Sequence, residues 1–170
     1  MKTLITCLTL AFISHLHAGL PAYLELTIGG NGIAGEPGQG SVGGFDPSNM
    51  IRVNAFRHEL VRTGSTVNHK GFTIVKPLDK ATPLLAQALG QNGVGTAVIR
   101  LFRADSNEGT VENHITYTLT NCQIIRVQPW MANITDNAAA SLPAMEEVTF
   151  TYQSIEIESE TNGAAAVLTR

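Results

Sequence analysis

Residues 111–128 constrain the fold of this chain more than any other stretch. Ile115, Tyr117 and Leu119 alternate with threonines, so the segment has one apolar face and one polar, β-branched face. This alternation is typical of a strand that is buried on one side only. The apolar parity slips at Asn121 and Cys122, which predicts a β-bulge at that point.

Shorter runs of β-compatible residues occur along most of the chain. They cover residues 22–28, 50–62, 71–78, 94–103 and 148–157. In the last run, Val148 and Phe150 have one parity and Ile155 and Ile157 have the other, which predicts a second bulge near residues 153–154. Two register slips favour strongly curved strands, as in a barrel. The sequence therefore predicts a mainly β fold.

Residues 79–90 are the one segment with a convincing helical pattern. Four apolar side chains between residues 84 and 89 form a stripe with i, i+1, i+4, i+5 spacing. Asp79 or Thr82 can cap the start of the helix, Pro83 suits its first turn, and Gly90 suits the position after its end. We expect this helix to cover one mouth or one flank of the β core.

A glycine motif follows the first predicted strand. Gly30, Gly32 and Gly35 have the spacing of the dinucleotide-binding fingerprint, which requires a helix directly afterwards to hold the pyrophosphate. Residues 36–44 contain four more glycines and Pro37, and these residues oppose a helix. The sequence therefore predicts a surface loop with several turns and no nucleotide site.

Composition excludes several classes of function. The 170 residues suit one domain, and with 44% hydrophobic and 15% charged residues the chain can build a packed core. The net charge is −3 at pH 7, so the chain lacks the basic field that nucleic-acid binding needs. After the first eighteen residues, no apolar run reaches the length of a membrane span, and we expect no stable membrane insertion.

Residues 1–18, MKTLITCLTLAFISHLHA, have features of a secretory signal peptide. Lys2 supplies the positive charge, residues 4–16 are mostly apolar, and Ala18 is a candidate cleavage residue. Two histidines and Leu16 fit this pattern poorly, so an ordinary N-terminal extension is the alternative interpretation. Cleavage after Ala18 would leave Cys122 as the one cysteine, and an internal disulfide would then be impossible.

No set of residues has the spacing of a catalytic or metal site. His58 lies between apolar neighbours and is predicted to be half-buried, His69 is predicted to lie in a turn, and His114 falls on the polar side of a strand. Three glutamates at residues 156, 158 and 160 share one strand face, which is typical of a solvated surface. We therefore predict a protein that is not an enzyme, with no catalytic residue, no cofactor and no metal.

The order of these elements resembles the haemolysin-coregulated protein (Hcp) family, the tube subunit of the bacterial type VI secretion system. The most specific piece is a strand followed by D-K-A-T-P-x-L, which opens a short helix. The resemblance spans about residues 21–160. The segments that carry it are PAYLEL (21–26), IRVNAFRHEL (51–60), HKGFTIVKPLDKATPLLAQAL (69–89), VIRLFRA (98–104), YTLTNCQIIRV (117–127) and EEVTFTYQSIEI (146–157).

The resemblance implies a β-barrel of two curved antiparallel sheets with one flanking α-helix, similar to phage tail-tube proteins. After the signal-like residues 1–18, residues 19–160 would be the barrel domain and residues 161–170 a flexible tail. Six copies would form a ring, and stacked rings would form a hollow tube that a contractile sheath expels. The implied partners are further copies of the chain, a spike protein, the sheath, and secreted effectors carried in the lumen.

The resemblance also implies which side chains line the lumen. In the second predicted strand, Phe56, His58 and Leu60 share one face, and Arg57 and Glu59 share the other, because side chains alternate along a strand. We expect the apolar face to enter the core. In the family, the opposite face of this strand contributes to the inner wall of the ring, so Arg57 and Glu59 are the candidate lumen residues.

Two departures from the family leave alternatives open. Family members start near PAYL and lack a signal peptide. The secreted protein would therefore assemble in the cytoplasm if residues 1–18 are kept. It would be periplasmic if they are cleaved as a signal peptide. The segment at residues 63–70 is shorter than the family loop that contributes to contacts between rings. The alternative function is a monomeric secreted or periplasmic β-domain that binds a ligand or a protein partner.

Overall fold

The computed structural model describes residues 20, 22–38, 40–104, 110–133, 135 and 143–170. The predicted signal peptide, residues 1–18, lies outside this part of the chain. In the first half of the chain the elements are β1 (Ala22–Ile28), β2 (Asn31–Gly32), β3 (Ile51–Val53), β4 (Ala55–Arg57), β5 (Leu60–Thr63), β6 (Thr66–His69), β7 (Phe72–Pro77) and α1 (Thr82–Gln91). In the second half they are β8 (Gly95–Ala104), β9 (Val111–Trp130), β10 (Met145–Thr151), β11 (Ser154–Ser159) and β12 (Ala165–Thr169).

The long strand β9 joins the sheets, because it pairs with three other strands. Its first part pairs antiparallel with β8 on one side and with β11 on the other, and residues 123–130 pair with β10. The main path is β2-β1-β8-β9-β10-β7-β4, with β3 attached to β1 and β12 attached to β11. One strand thus takes part in both curved halves of the fold.

The hydrogen-bonded path does not close into a ring of strands. β3 pairs with β1 near one end of the path, and β4 pairs with β7 at the other end. Asn54 alone separates β3 from β4, and its backbone N–H donates to the carbonyl of Val75 at 2.8 Å. The predicted mainly β fold of two curved antiparallel sheets with one helix is confirmed, and a bent chain segment bridges the gap that a fully paired barrel would close.

Both sheets and the helix pack around one apolar core. Leu24, Phe72, Leu85, Leu119 and Phe150 are each fully buried, and they come from five different elements. Burying a side chain of this size contributes about 1.5–3 kcal/mol to folding. A second, smaller cluster lies on the other side of β1 and β8, where the loop before β3 covers Tyr23 and Phe102.

The first predicted bulge is confirmed. Gly95 pairs with Cys122 and Thr96 pairs with Thr120, so Asn121 is an extra residue in β9. Its φ of 48° lies in the left-handed region, which asparagine tolerates better than most residues. At the second predicted bulge, near residues 153–154, the structure has a break between two strands. β10, which pairs with β7, ends at Thr151, and β11, which pairs with β12, begins at Ser154. The parity of the apolar residues changes at this break.

Helix α1 occurs where the pattern predicts it, with a different start and end. Its N-cap residue is Ala81, which makes no side-chain cap hydrogen bond, so the prediction of Asp79 or Thr82 as the cap was wrong. The carboxylate of Asp79 accepts a hydrogen bond from the N–H of Ala81 at 2.9 Å, and Thr82 Oγ1 accepts one from the N–H of Asp79 at 3.1 Å. The left-handed residue after the helix is Asn92, with φ 53°, so the prediction of Gly90 at this position was wrong. Its N–H bonds to the carbonyl of Leu89.

Three other segments differ from the sequence prediction. The single strand predicted at 50–62 is divided into β3, β4 and β5, because the chain bends at Asn54 and leaves the strand conformation at residues 58–59. The turn-rich segment at 63–70 is largely the hairpin of β5 and β6. The tail predicted to be flexible contains β12, which pairs with β11 over five residues. No helix among the described residues has the length and apolar character to cross a bilayer.

Candidate functional site

The sheet formed by β4, β7, β10 and the second half of β9 has one face on the core and one face turned away from it. Residues that pair directly across strands project to the same side of a sheet. The row on the core side contains Phe56, Ile74, Val148 and Val127. The rows of paired residues on either side of this core row therefore project to the opposite side of the sheet, away from the core.

We call this opposite side the polar face. One of its rows is Arg57, Thr73, Thr149 and Arg126, and the other is Ala55, Val75, Glu147 and Gln128. Arg57, Arg126 and Gln128 are exposed, although they stand on a sheet whose other side is the buried core. The hydroxyls of Thr73 and Thr149 are 3.0 Å apart. Hydrogen bonds and charges therefore dominate this surface.

An ion pair connects β4 to β10 across the polar face. The Arg57 guanidinium donates to both carboxylate oxygens of Glu147, at 2.7 and 3.3 Å. The hydrogen bond from Arg57 holds the pKa of Glu147 below its usual value, and the nearby charge of Arg126 acts in the same direction. The same contact raises the pKa of Arg57. The side chain of Arg57 is still 59% exposed, so the pair lies at the surface.

The two predicted lumen residues line one pocket but occupy different positions relative to the sheet. Arg57 lies on the polar face, as strand alternation predicts, and Phe56 packs on the core side, where its ring stacks on Phe72 with centroids 5.4 Å apart. Glu59 lies beyond the end of β4, in the two residues that lead into the hairpin. It is exposed, and its backbone carbonyl accepts the N–H of Lys70 at 3.0 Å. Glu59 therefore stands at the rim of the polar face.

A cluster of three side chains that the sequence analysis missed lies beside this rim. The Tyr152 hydroxyl is 2.6 Å from Nε2 of His58 and 3.1 Å from Nδ1 of His69. Burial, together with the charge of His69, lowers the pKa of His58, and burial raises the pKa of Tyr152. The prediction of a half-buried His58 is confirmed. The prediction for His69 was wrong, because this residue is 6% exposed and ends β6.

A buried charged network ties α1 to the sheet. Lys76 and Glu146 are fully buried, and Lys76 Nζ donates to Glu146 Oε1, to Asp79 Oδ1 and to the carbonyl of Pro77, each at 2.7 Å. Thr82 Oγ1 donates to the same oxygen of Glu146 at 2.8 Å. All three protons of the ammonium group are used, whereas Oε2 of Glu146 has no hydrogen-bond partner among the described residues. Because Lys76 and Glu146 are fully buried, the network acts as a structural clamp.

The glycine motif packs against the same network. The second carboxylate oxygen of Asp79 accepts the N–H of Glu36 at 2.8 Å. A Cβ on Gly35 would lie 2.7 Å from that oxygen and 2.9 Å from Cα of Ile51. Gly32 lies in β2, and the described residues between 33 and 50 form no helix. Close packing of two chain segments thus accounts for Gly35.

The described residues contain no group of three histidine, cysteine, aspartate or glutamate side chains that could hold a metal ion. Cys122 is a free, fully buried thiol in the core, and burial raises its pKa to about 12. The thiolate is the reactive form of cysteine, so Cys122 acts as a small apolar core residue.

Comparison with known proteins identifies the family. The sequence profile described as "Type VI secretion system effector, Hcp" matches residues 23–158. The chain belongs to the Hcp family. It is 31% identical over 159 residues to the "Major exported protein" of Pseudomonas aeruginosa, covering 85% of this chain and 92% of that protein.

Solved Hcp structures have the same fold. The secreted protein Hcp3 from Pseudomonas aeruginosa has a TM-score of 0.73 and 25% identity, covering 88% of this chain and 97% of that one. The Hcp1 protein from E. coli EAEC 042 also has a TM-score of 0.73, with 23% identity over 88% of this chain and 99% of that one. The predicted family and the role of a type VI secretion tube protein are confirmed. Nothing in these comparisons favours the alternative of a monomeric binding domain.

Proposed function

We propose that this Hcp protein forms six-membered rings that stack into a hollow tube, with the polar face on the inner wall. The observation that carries this proposal is the exposure of the polar face on the side of the sheet opposite the core. A tube lumen is the place where such a face stays hydrated after assembly. In this arrangement Arg57 lines the channel, and Glu59 lies at its edge.

Open strand edges supply surfaces for ring contacts. Among the described residues, positions 123–130 of β9 pair with β10 alone, and β12 pairs with β11 alone. A ring needs two different surfaces that fit one another head to tail. Pairing or covering both edges in neighbouring copies would protect strands that in a monomer invite aggregation.

Exposed apolar side chains lie close to these two edges. Trp130 ends β9 and is 40% exposed, Met131 follows it and is 66% exposed, and Val167 on β12 is 65% exposed. Burial of large apolar side chains is the main driving force of most protein association. We therefore place subunit contacts at the end of β9 and on β12.

The other partners follow from a tube of this kind. Effectors would travel in the lumen, a contractile sheath would surround the tube, and a spike protein would cap it. Expulsion of the tube would deliver the protein outside the cell without a cleaved signal peptide. If residues 1–18 were instead removed as a signal, the subunit would reach the periplasm and be separated from a cytoplasmic assembly site. Intact mass of the exported protein distinguishes the two routes.

The ring is tested by light scattering after size-exclusion chromatography and by electron microscopy. Wild-type protein should elute as a ring at micromolar concentration, and Met131→Asp should shift the population towards monomer. Leu84→Asp is the matched control, because Leu84 is a 41% exposed apolar residue on α1 that lines a pocket with the β1–β2 turn. A folded wild-type protein that remains monomeric at every concentration would contradict the ring.

A further inference from the structure

The polar face has a charge opposite to that of the chain as a whole. The protein carries a net charge of −3 at pH 7. On the polar face, Arg57 and Arg126 stand in one row, and the guanidinium of Arg170 donates to the Thr151 hydroxyl at the end of β10. Glu147 is the one carboxylate in the two rows that define the face. Two arginines against one glutamate give the two rows a net charge of +1 per subunit, and the guanidinium of Arg170 lies beside them.

The single carboxylate is shared between two arginines. Glu147 accepts two hydrogen bonds from Arg57 and also interacts electrostatically with the charge of Arg126. Its one negative charge therefore cannot neutralise both guanidinium groups. At the rim, Glu59 and Lys70 are of opposite sign and add no net charge. The excess positive charge stays on exposed side chains that a partner can reach.

We propose that the polar face is a cargo-binding surface selective for proteins with acidic surfaces. This proposal rests on the proposed function, in which the face lines the lumen. Guanidinium groups bind carboxylates with paired, charge-assisted hydrogen bonds. A ring repeats the positive rows around one channel, so an acidic cargo meets the same charge from every side. The binding is strong at low ionic strength and weakens as salt screens it.

A nucleic acid is the competing polyanion, and the surface suits it less well. Nucleic-acid channels combine a dense basic track with aromatic side chains on which bases stack. The two rows of the polar face contain no aromatic residue and two arginines, and the chain as a whole is acidic. Carboxylates scattered over a folded protein match sparse arginines better than a continuous phosphate backbone does.

The test measures fluorescence anisotropy with three labelled probes: a 20-residue poly-glutamate peptide, a poly-lysine peptide of equal length and a 20-nucleotide single-stranded DNA. Wild-type protein should bind poly-glutamate and not poly-lysine. The double variant Arg57→Gln/Arg126→Gln should weaken this binding about tenfold. A second double variant, Arg57→Gln/Arg126→Glu, should shift the preference towards poly-lysine. Raising the salt concentration should weaken the wild-type binding and have little effect on the double variant.

Arg100→Gln is the matched control. Arg100 also forms an exposed ion pair, with Glu25 at 3.0 Å, but it lies on β8, next to Phe45 and away from the polar face. This variant loses one positive charge and one ion pair, as Arg57→Gln does, and should bind poly-glutamate like the wild type. Equal loss in Arg100→Gln and Arg57→Gln would show that overall charge decides the binding, and would overturn the proposal.

Light scattering on the same samples separates this proposal from the ring. Rings that fail to bind poly-glutamate would overturn the acidic-cargo proposal and leave the tube intact. A monomer that binds poly-glutamate through Arg57 and Arg126 would overturn the ring and keep the anion-selective face. Tighter binding of DNA than of poly-glutamate, lost in the double variant, would assign the face to nucleic acid and overturn the proposal for proteins.

Discussion

At the scale of single residues, neighbours in sequence have opposite roles on β4. Phe56 stacks on Phe72 and contacts the core, whereas Arg57 projects from the polar face. Phe56 is partly exposed and Phe72 is fully buried, so the two rings differ in how much apolar surface they remove from water. We therefore expect substitutions at these neighbouring positions to separate effects on stability from effects on the proposed cargo contact.

We predict that Phe72→Ala lowers the free energy of unfolding by about 3–5 kcal/mol, because it leaves a cavity in the core. Phe56→Ala should cost less, because part of that ring is exposed. Arg57→Ala should leave the melting temperature and ring formation unchanged and alter the retention of a lumen cargo. Thermal melts of the three variants decide the matter. An Arg57→Ala protein as destabilised as Phe56→Ala would mean that the two faces are assigned in reverse.

The His58, His69 and Tyr152 cluster predicts a dependence of stability on pH. The pKa of His58 is lowered in the folded protein, so as pH falls the unfolded chain takes up this proton first. The stabilising contribution is complete above about pH 6.5, the ordinary histidine pKa, and is lost as pH falls through the lower, folded-state value. Melting temperatures should therefore fall between about pH 6.5 and 5 in the wild type and fall less in His58→Gln. Equal slopes for the two proteins would contradict this assignment.

At the scale of elements, the clamp between β7, β10 and α1 holds the helix in place. Lys76→Met would leave the carboxylates of Glu146 and Asp79 buried without their cation, and removing one member of a buried ion pair costs about 3–5 kcal/mol. Lys80→Met, at an exposed position four residues further on, is the control and should have little effect. Urea unfolding measures both variants. A Lys76→Met protein as stable as the control would show that the clamp does not hold the helix.

The glycine motif offers a second contrast between elements. Gly35→Ala should destabilise the protein by about 1–3 kcal/mol, because the new Cβ overlaps Asp79 and Ile51. A Cβ on Gly32 meets no atom within 4 Å, so Gly32→Ala should leave the fold and the oligomer intact. Thermal melts compare the two. Micromolar binding of NAD or FAD by the wild type, lost in Gly32→Ala, would contradict the packing role of the motif.

At the scale of the whole molecule, the last strand stands apart from the core. β12 pairs only with β11 among the described strands, and of its side chains Leu168 alone packs against the core cluster, where it is partly buried. We expect a chain that ends at residue 163 to keep a cooperative unfolding transition and to lose ring stability, because an interface edge is gone. Calorimetry and light scattering measure the two effects. A truncated protein that forms rings like the wild type would exclude β12 from the subunit contacts.

The sequence by itself determined the class of fold, the main strands, the helix and the family. Apolar periodicity of two, the apolar stripe of α1 and the parity slip at Asn121 are local signals, and each depends on residues within a few positions of one another. The order of the segments was sufficient to indicate Hcp. The same signals failed at the end of the chain, because β12 is rich in alanine and has little apolar alternation.

Only the tertiary structure decided which side chains meet. Arg57 and Glu147 are 90 residues apart, and His58 and Tyr152 are 94 apart. The alternation of side chains along a strand predicts which face of that strand a residue occupies. It does not predict the register with the neighbouring strand. The break between β4 and β5 at residues 58–59 left Glu59 at the rim of the polar face, and pairing across β7 and β10 brought Arg126 and Glu147 onto it. The charge of this face is therefore a property of the register, because its charged residues come from β4, β9 and β10, three strands that only folding brings together.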